Sequence, residues 1–332
     1  MKKRSQLVIV NFIFFALGLV FIPQNTYSQH LFFQTGKVNW EAGINFGPSF
    51  FLGDLGGNKG KGTPFLKDLN LQFTNLMKGV FITAYPTDWV GIRLAAELGK
   101  LEGDDGAVNT KGVDELWRKQ RNLDFRTNIA EGYIALEFFP LMVFPGIRDQ
   151  QPRLRPYGVI GAGLFHFNPQ GSISDSGGNK TWYYLHPLRT EGEGMSEYPN
   201  RKEYKLTQVN IPFGAGLKYL LSDRISISTE FLYRKTFTDY IDDVSRNYID
   251  PNNFSKYLSP EDASIARRVS DKTVGIITPG LTRYAPGTQR GNPKQDDAYF
   301  NFFLKIGIRL GESYSSAGAE REAHHMRCPN LF

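Results

Sequence analysis

The sequence predicts an all-β fold: an eight-stranded antiparallel up-and-down transmembrane β-barrel with long external loops. Three observations carry this expectation. Apolar and polar residues alternate with a period of two over several segments. After the N-terminal leader, no stretch approaches the ~20 apolar residues a membrane helix needs. The connections between alternating segments are short and long in turn, with every long one on the same side, as in outer-membrane barrels. Aromatic residues make up 14% of the chain and glycines number 34, a mix that favours strands and turns.

The chain begins with Lys2, Lys3 and Arg4, an apolar run from Leu7 to Ile22 broken by Asn11, and a polar stretch holding Thr26 and Ser28. That order reads as a secretory signal peptide over residues 1–28, cut before Gln29. The chain carries 39 basic and 33 acidic residues, a net +6, but three of the basic ones belong to the leader, leaving 36 against 33. Nucleic acid is therefore not implied as a partner. The single cysteine, Cys328, excludes an intrachain disulfide and lies far from the cleavage site where a lipid-bearing cysteine would sit. No linker or repeat divides the remainder, so one barrel domain is expected over residues 29–311, with a tail over 312–332.

Eight strands follow in order. WEAGINFGPSFF starts at Trp40, KGVFITAYP at Lys78, VGIRLAAELGK at Val90 and IAEGYIALEFFP at Ile129. RPYGVIGAGLFHF starts at Arg155, TQVNIPFGAGLKYL at Thr207, RISISTEFLYRK at Arg224 and DAYFNFFLKIGIRLG at Asp297. In the third, Val90, Ile92, Leu94, Ala96 and Leu98 oppose Gly91, Arg93, Ala95, Glu97 and Gly99. The second and fifth alternate poorly, and the connections between the strands are the stronger signal, being short in alternation: Pro86-Thr87-Asp88 between strands two and three, a Pro-rich segment between four and five, and Ser222-Asp223-Arg224 between six and seven. The other connections run to roughly 20–60 residues, lengths uncommon inside compact soluble domains. An exported β-sandwich also alternates but needs no such loop asymmetry.

Eight strands enclose a space that side chains just fill, so an open porin is not expected. The alternation turns five acids (Glu41, Glu97, Glu131, Glu137, Glu230) and five bases (Arg93, Lys218, Arg234, Lys305, Arg309) inward. Charges taken out of water must be paired, which reads as a polar plug. A proton or ion path is the alternative use of the same residues.

The segment YRKTFTDYIDDVS ends the seventh strand and places Asp239, Asp242 and Asp243 at the start of the longest loop. It lacks the spacing, glycine and distal glutamate of an EF-hand. The expectation is a loop-anchoring rim, with the carboxylates paired by Arg234 and Lys235 and with Arg121, Arg126, Arg189 and Arg290 brought to the same side. No catalytic residue, metal or cofactor is expected. His166 has only Ser172 near it in sequence, and SDSGGNK and RGNPK lack the strand-to-helix setting of a phosphate loop. His324, His325 and Cys328 resemble soft-metal ligands but sit on an untethered tail.

RNLDFRTNIAE, LFHFNPQG, WYYLHPLRTEGEG, YKLTQVNIPFGAGLKY, YRKTFTDYIDDVS and RGNPKQDDAYF, in this order, resemble the outer-membrane barrel family that includes PorG of the type IX secretion system. The resemblance runs from about Trp40 to Arg309. It implies a Gram-negative outer-membrane protein surrounded by lipid, without enzymatic activity. For the PorG members it also implies association with periplasmic secretion-ring proteins of the PorK/PorN kind. The tail beyond the last strand departs from barrels that end on an aromatic strand residue. Two function classes stay open. One is a structural component of secretion or envelope assembly, docking a periplasmic partner on the turns near Leu141 to Pro156 or on the tail. The other is a free-standing barrel whose external loops bind a ligand or surface.

Overall fold

Eight long strands close on themselves. β1 (Asn39–Leu52) pairs antiparallel with β2 (Asn75–Thr87), β2 with β3 (Val90–Asp104), β3 with β4 (Asp124–Phe138) and β4 with β5 (Leu154–His166). β5 then pairs with β8 (Thr207–Leu220), β8 with β9 (Ile225–Thr236), β9 with β10 (Ala298–Leu310), and β10 returns to β1 through pairs from Trp40↔Leu310 to Leu52↔Ala298. The computed structural model describes residues 38–55, 74–107 and 113–310. The expected signal peptide and the tail, with His324, His325 and Cys328, lie outside the described residues.

The ring satisfies every strand's edge, the condition for crossing lipid with strands. Strands of 12 to 15 residues exceed the ~9–11 that span a bilayer, so β3 and β4 project beyond it, paired as far as Asp104↔Asp124. Outward positions are apolar through the middle of the wall: Ile44, Leu94, Ile134, Ile160, Leu164, Leu217 and Ile308 are all exposed. Outward charges (Lys78, Lys100, Glu102, Arg126, Lys235) occur only in the outer halves of their strands. This is the wall of a transmembrane barrel whose outer strand ends reach water.

Connections are short at one end: 88–89 between β2 and β3, 221–224 between β8 and β9, and 139–153 between β4 and β5, the last carrying two short helical turns. The other end bears a folded crown. Its elements are the helix α1 (Val113–Arg121), the hairpin of β6 (Gln170–Ser174) and β7 (Lys180–Tyr184), and the helix α2 (Pro260–Ser270). Ser259 caps α2 by accepting from Asp262 N–H at 3.1 Å. Glu261 and Asp262 occupy its first turn and Arg267 and Arg268 its last, all in the sense the helix dipole favours. Ala263, Ala266 and Val269 on one face of α2 pack with Leu185, Leu188, Met195, Ile249 and Phe254. The two longest loops thus share a small hydrophobic core of their own, which neither could bury alone.

Candidate functional site

Inside the barrel, alternation on each strand delivers polar side chains to one another in layers. Nearest the short turns, Lys218 Nζ lies 2.9 and 3.0 Å from the two Glu41 oxygens and donates to Tyr85 Oη at 2.6 Å. Above it Arg93 donates through Nη1 and Nη2 to the two oxygens of Glu230, at 2.9 and 2.6 Å, and through Nε to Glu137 at 2.6 Å. Tyr157 and Lys305 also reach Glu230, at 2.6 and 3.2 Å. In the outer half Arg234 pairs with Glu97 and Glu131, which also accept from Asn45, Tyr133 and Asn210.

Nine of the ten inward charges named from the sequence belong to these layers, each at most 5% exposed. Arg309 stands outside them. At the end of β10 it is only half-buried, because the strand has reached the mouth, where it lines a hollow with Arg155, Lys218 and Tyr85. That hollow has a volume of about 20 Å³, room for roughly one water molecule. Around and beyond the outermost charge layer the lumen is filled by Met77, Leu101, Phe125, Phe165 and Tyr299, with Phe303 opposite Glu230 below them. Arg155, Asn45 and Asn210 were missed as interior polar residues although each stands at an inward position of its strand.

The rim differs from expectation. Asp242 and Asp243 are buried, and among the described residues neither Arg234 nor Lys235 pairs with them. Successive strand residues point to opposite faces, so Arg234 turns into the lumen and Lys235 out toward Phe237. Asp242 instead accepts backbone N–H groups, Leu55 at 3.0 Å and Val244 at 2.9 Å. Asp243 accepts from Thr190 and, at 2.7 Å, from Tyr204 Oη.

Of the expected rim arginines, Arg290 is central. It donates to Glu191 at 2.9 Å, to the Asp243 carbonyl and to the Ser270 carbonyl at 3.2 Å. Arg121 pairs with Asp105 at 2.7 Å and donates to the Arg290 carbonyl at 2.6 Å. Arg126 and Arg189 stand apart from the aspartates. Arg126 bonds Gln170 at 2.8 Å and covers the Trp182 ring, and Arg189 pairs with Glu203 at 2.6 Å. Their strand and turn positions face the hairpin and the outer surface rather than the barrel axis.

Acids outnumber cations in this layer. Asp54, Asp239, Asp297, Glu191 and Glu193 join the two central aspartates, none of them foreseen except Asp239. Both Asp239 oxygens, Asp297 Oδ1 and Glu193 Oε1 are buried without a hydrogen-bond partner among the described residues. Burial, reinforced by Asp242 and Asp54, pushes Asp239 up to about 9. Burial and the nearby Asp243 and Glu191 push Glu193 up to about 8, and burial raises Asp243 to about 6 against the pull of Arg290. Asp239 and Glu193 thus hold protons at neutral pH in place of counter-charges, while Asp243, facing Arg290, is largely ionised there. Among the described residues no three His, Cys, Asp or Glu side chains are arranged to hold a metal ion.

His166 is exposed, its Nδ1 3.0 Å from Thr207 Oγ1, while Ser172 donates to Asp124 inside the crown, so the two share no partner. Between β3, the β6–β7 hairpin and the segment after α2 lies an outward-opening polar cleft of about 620 Å³. Lys180 bridges Asp104 (3.1 Å) and Asp124 (2.9 Å) there, Lys272 also pairs with Asp124, and Arg268 and Arg283 stand on the opposite lip.

No family model matches the chain, and no curated protein does. Solved structures do. A major outer membrane protein from Thermus thermophilus aligns over 82% of this chain and 99% of its own, at 9% identity and a TM-score of 0.35. OprG of Pseudomonas aeruginosa aligns over 83% and 99%, at 11% identity and a TM-score of 0.34. Ail of Yersinia pestis, solved with the heparin analogue sucrose octasulfate, aligns over 83% and 100%, at 10% identity and a TM-score of 0.33.

Proposed function

We propose that this barrel is a non-enzymatic structural component of an outer-membrane assembly, acting through protein contacts, and that the assembly is a type IX, PorG-like secretion system. The observation that carries the first part is the filled lumen. Paired charges and an apolar lid occupy the interior, leaving the barrel wall, the crown and the periplasmic turns as its working surfaces. The secretion assignment rests on the blocks from RNLDFRTNIAE to RGNPKQDDAYF. Under it, periplasmic ring proteins of the PorK/PorN kind dock from the short-turn side.

The 139–153 turn supports that side as the contact face. Leu141, Val143 and Phe144 are exposed on it, at 37%, 40% and 58%. The cleft of about 620 Å³ among the outer loops favours a second reading, in which the crown binds an external ligand. Mild detergent extraction of a tagged chain, followed by identification of co-purifying proteins, tests the first reading. A periplasmic or secretion-ring protein should travel with the barrel. Recovery of the barrel alone, after cross-linking as well as without it, would remove the assembly role.

A further inference from the structure

On the lipid-facing wall, strands β1 to β4 border a groove of about 870 Å³. Cross-strand pairing sets its shape. One outward row runs Val80, Ala96, Gly132 and Leu164, and the next row toward the long loops runs Lys78, Leu98 and Ala130. Large side chains thus flank a floor of Ala96, Ala130 and Gly132. Glycine at 132 answers no demand of the barrel itself: it lacks a positive φ, and a Cβ there would meet only the Ala95 carbonyl, at 3.9 Å. A glycine inside a strand weakens it and marks places where another molecule approaches closely. Glu97 and Glu131 also border the groove, but both side chains are fully buried and turned inward onto Arg234, so neither places its charge in it.

Lys78 lines the same groove, in the outer half of β2. It is exposed, and its outward neighbours are apolar on all four sides: Leu76 and Val80 along β2, Phe46 and Leu98 across the sheet. It pairs with no carboxylate among the described residues. The outward acid on the adjoining strand, Glu102, is held by Lys100 and, at 3.3 Å, by Asn75. An ammonium set in an apolar wall reaches along that wall to the headgroup level, and its counter-charge there comes from the lipid. The next outward residues beyond Leu98 and Ala130 are Lys100 and Asn128, paired across β3 and β4, while His166 stands exposed beside Ala130.

We propose that this groove holds a phosphorylated glycolipid of the leaflet on the long-loop side, with its phosphate on Lys78, an acyl chain over Ala96 and Gly132, and its sugar beside Asn128. Each part of the ligand answers a part of the wall. The unpaired ammonium calls for an anionic headgroup, and a lysine binds phosphate as a point charge. The apolar trough calls for a chain, and its place in the outer halves of the strands sets the leaflet. Exposed amide and imidazole side chains at the headgroup level suit sugar hydroxyls better than a glycerol backbone. This site is separate from the assembly role and does not depend on it.

The test uses the full-length barrel, stripped of lipid by detergent exchange, and native mass spectrometry. The probes are phosphorylated lipid A, the same lipid with its phosphates removed, and phosphatidylglycerol. Lipid A should be retained as a discrete adduct, and the other two about fivefold less or weaker still. Lys78→Leu should lower lipid A retention by about fivefold, while Lys235→Leu, which removes an outward lysine beside the Phe237 ring and away from the groove, should leave it unchanged. Ala96→Leu with Gly132→Leu fills the trough with apolar side chains that a lipid-facing wall tolerates, and should also cut retention. Retained heat-modified gel migration shows that the variants are folded. Equal retention by Lys78→Leu and Lys235→Leu overturns the site, and so does equal retention of phosphatidylglycerol, which would leave unselective contact with anionic lipid. A barrel dimer that persists when lipid A is added, and is lost in the filled-groove variant, overturns it in favour of a second copy of the chain.

Discussion

Arg93 holds Glu230 across the barrel with two hydrogen bonds of 2.9 and 2.6 Å, between residues 137 positions apart, and at the same time clasps Glu137. Both acids are buried, so removing the arginine leaves two carboxylates with Lys305 as their remaining cation. Arg93→Ala should destabilise the barrel by about 3–5 kcal/mol. Lys256→Ala, which breaks the exposed pair with Glu197, should leave stability nearly unchanged. Urea titration of heat-modified gel migration reads both, and equal losses would mean that the lumen charges are hydrated.

Gly307 backs the innermost ion pair. A Cβ there would come within 2.3 Å of Glu41 Oε1 and 2.7 Å of Ser226 Oγ. Gly307→Ala should displace Glu41 from Lys218 and lower stability by about 1–3 kcal/mol, the usual range for overpacking. Lys218→Met in the same background should then cost less than it does alone, because the pair it removes is already broken. Strictly additive losses would place Gly307 outside the network.

On the lipid wall, Leu94 is 59% exposed at mid-strand. Leu94→Arg should cost about 2–4 kcal/mol in bilayers. The chain itself should stay in the outer-membrane pellet through carbonate extraction. A soluble periplasmic fraction, or tolerance of arginine at this site, would contradict a membrane wall.

The crown should respond to pH in a defined direction. Asp239 is pushed up from 3.8 to about 9 and Glu193 from 4.5 to about 8, in each case chiefly by burial. A raised carboxyl pKa favours the folded form fully below the unfolded value, near 4, and the advantage is lost as pH climbs through the folded value. The loops should therefore loosen progressively as pH rises from about 4 to about 9, seen as faster surface proteolysis between residues 245 and 296. Asp239→Asn should flatten the upper part of that profile. EDTA should leave it unchanged. Cleavage that EDTA accelerates and calcium reverses would replace stored protons with a bound ion.

Arg290 ties the loop bearing Glu191 to the one bearing Asp243 and Ser270. Arg290→Ala should expose both loops to protease together without changing heat-modified migration of the barrel. Arg290→Lys should restore little, because one ammonium cannot span the same fan of acceptors. Cleavage confined to one loop would show that the two are anchored separately.

The barrel was legible because its code is local: two-residue alternation sets which way Glu97 and Arg234 face, and loop length sets which end is outside. Arg309 obeys the alternation but lies too near the strand end to be enclosed. The crown was much less legible. Its burial comes from contacts such as Leu55 N–H to Asp242, 187 positions apart, and Ser245 N–H to Glu191, 54 apart, which no short pattern encodes. Asp239, Asp242 and Asp243 therefore read as a rim paired by the cations nearest in sequence, while Asp54, Glu191, Glu193 and Asp297 gave no signal. The pairing expected of Arg234 and Lys235 failed because nearness along a strand alternates between faces.

If the barrel works through contacts made on its periplasmic side, site-specific photo-crosslinking in living cells tests that most directly. A photoreactive residue in place of Phe144, on the 139–153 turn, should yield discrete adducts with a periplasmic protein. The same residue in place of Ser176, at the tip of the β6–β7 hairpin, should yield none. Adducts from Ser176 alone, with Phe144 silent, would contradict the account and move the function to the outer cleft.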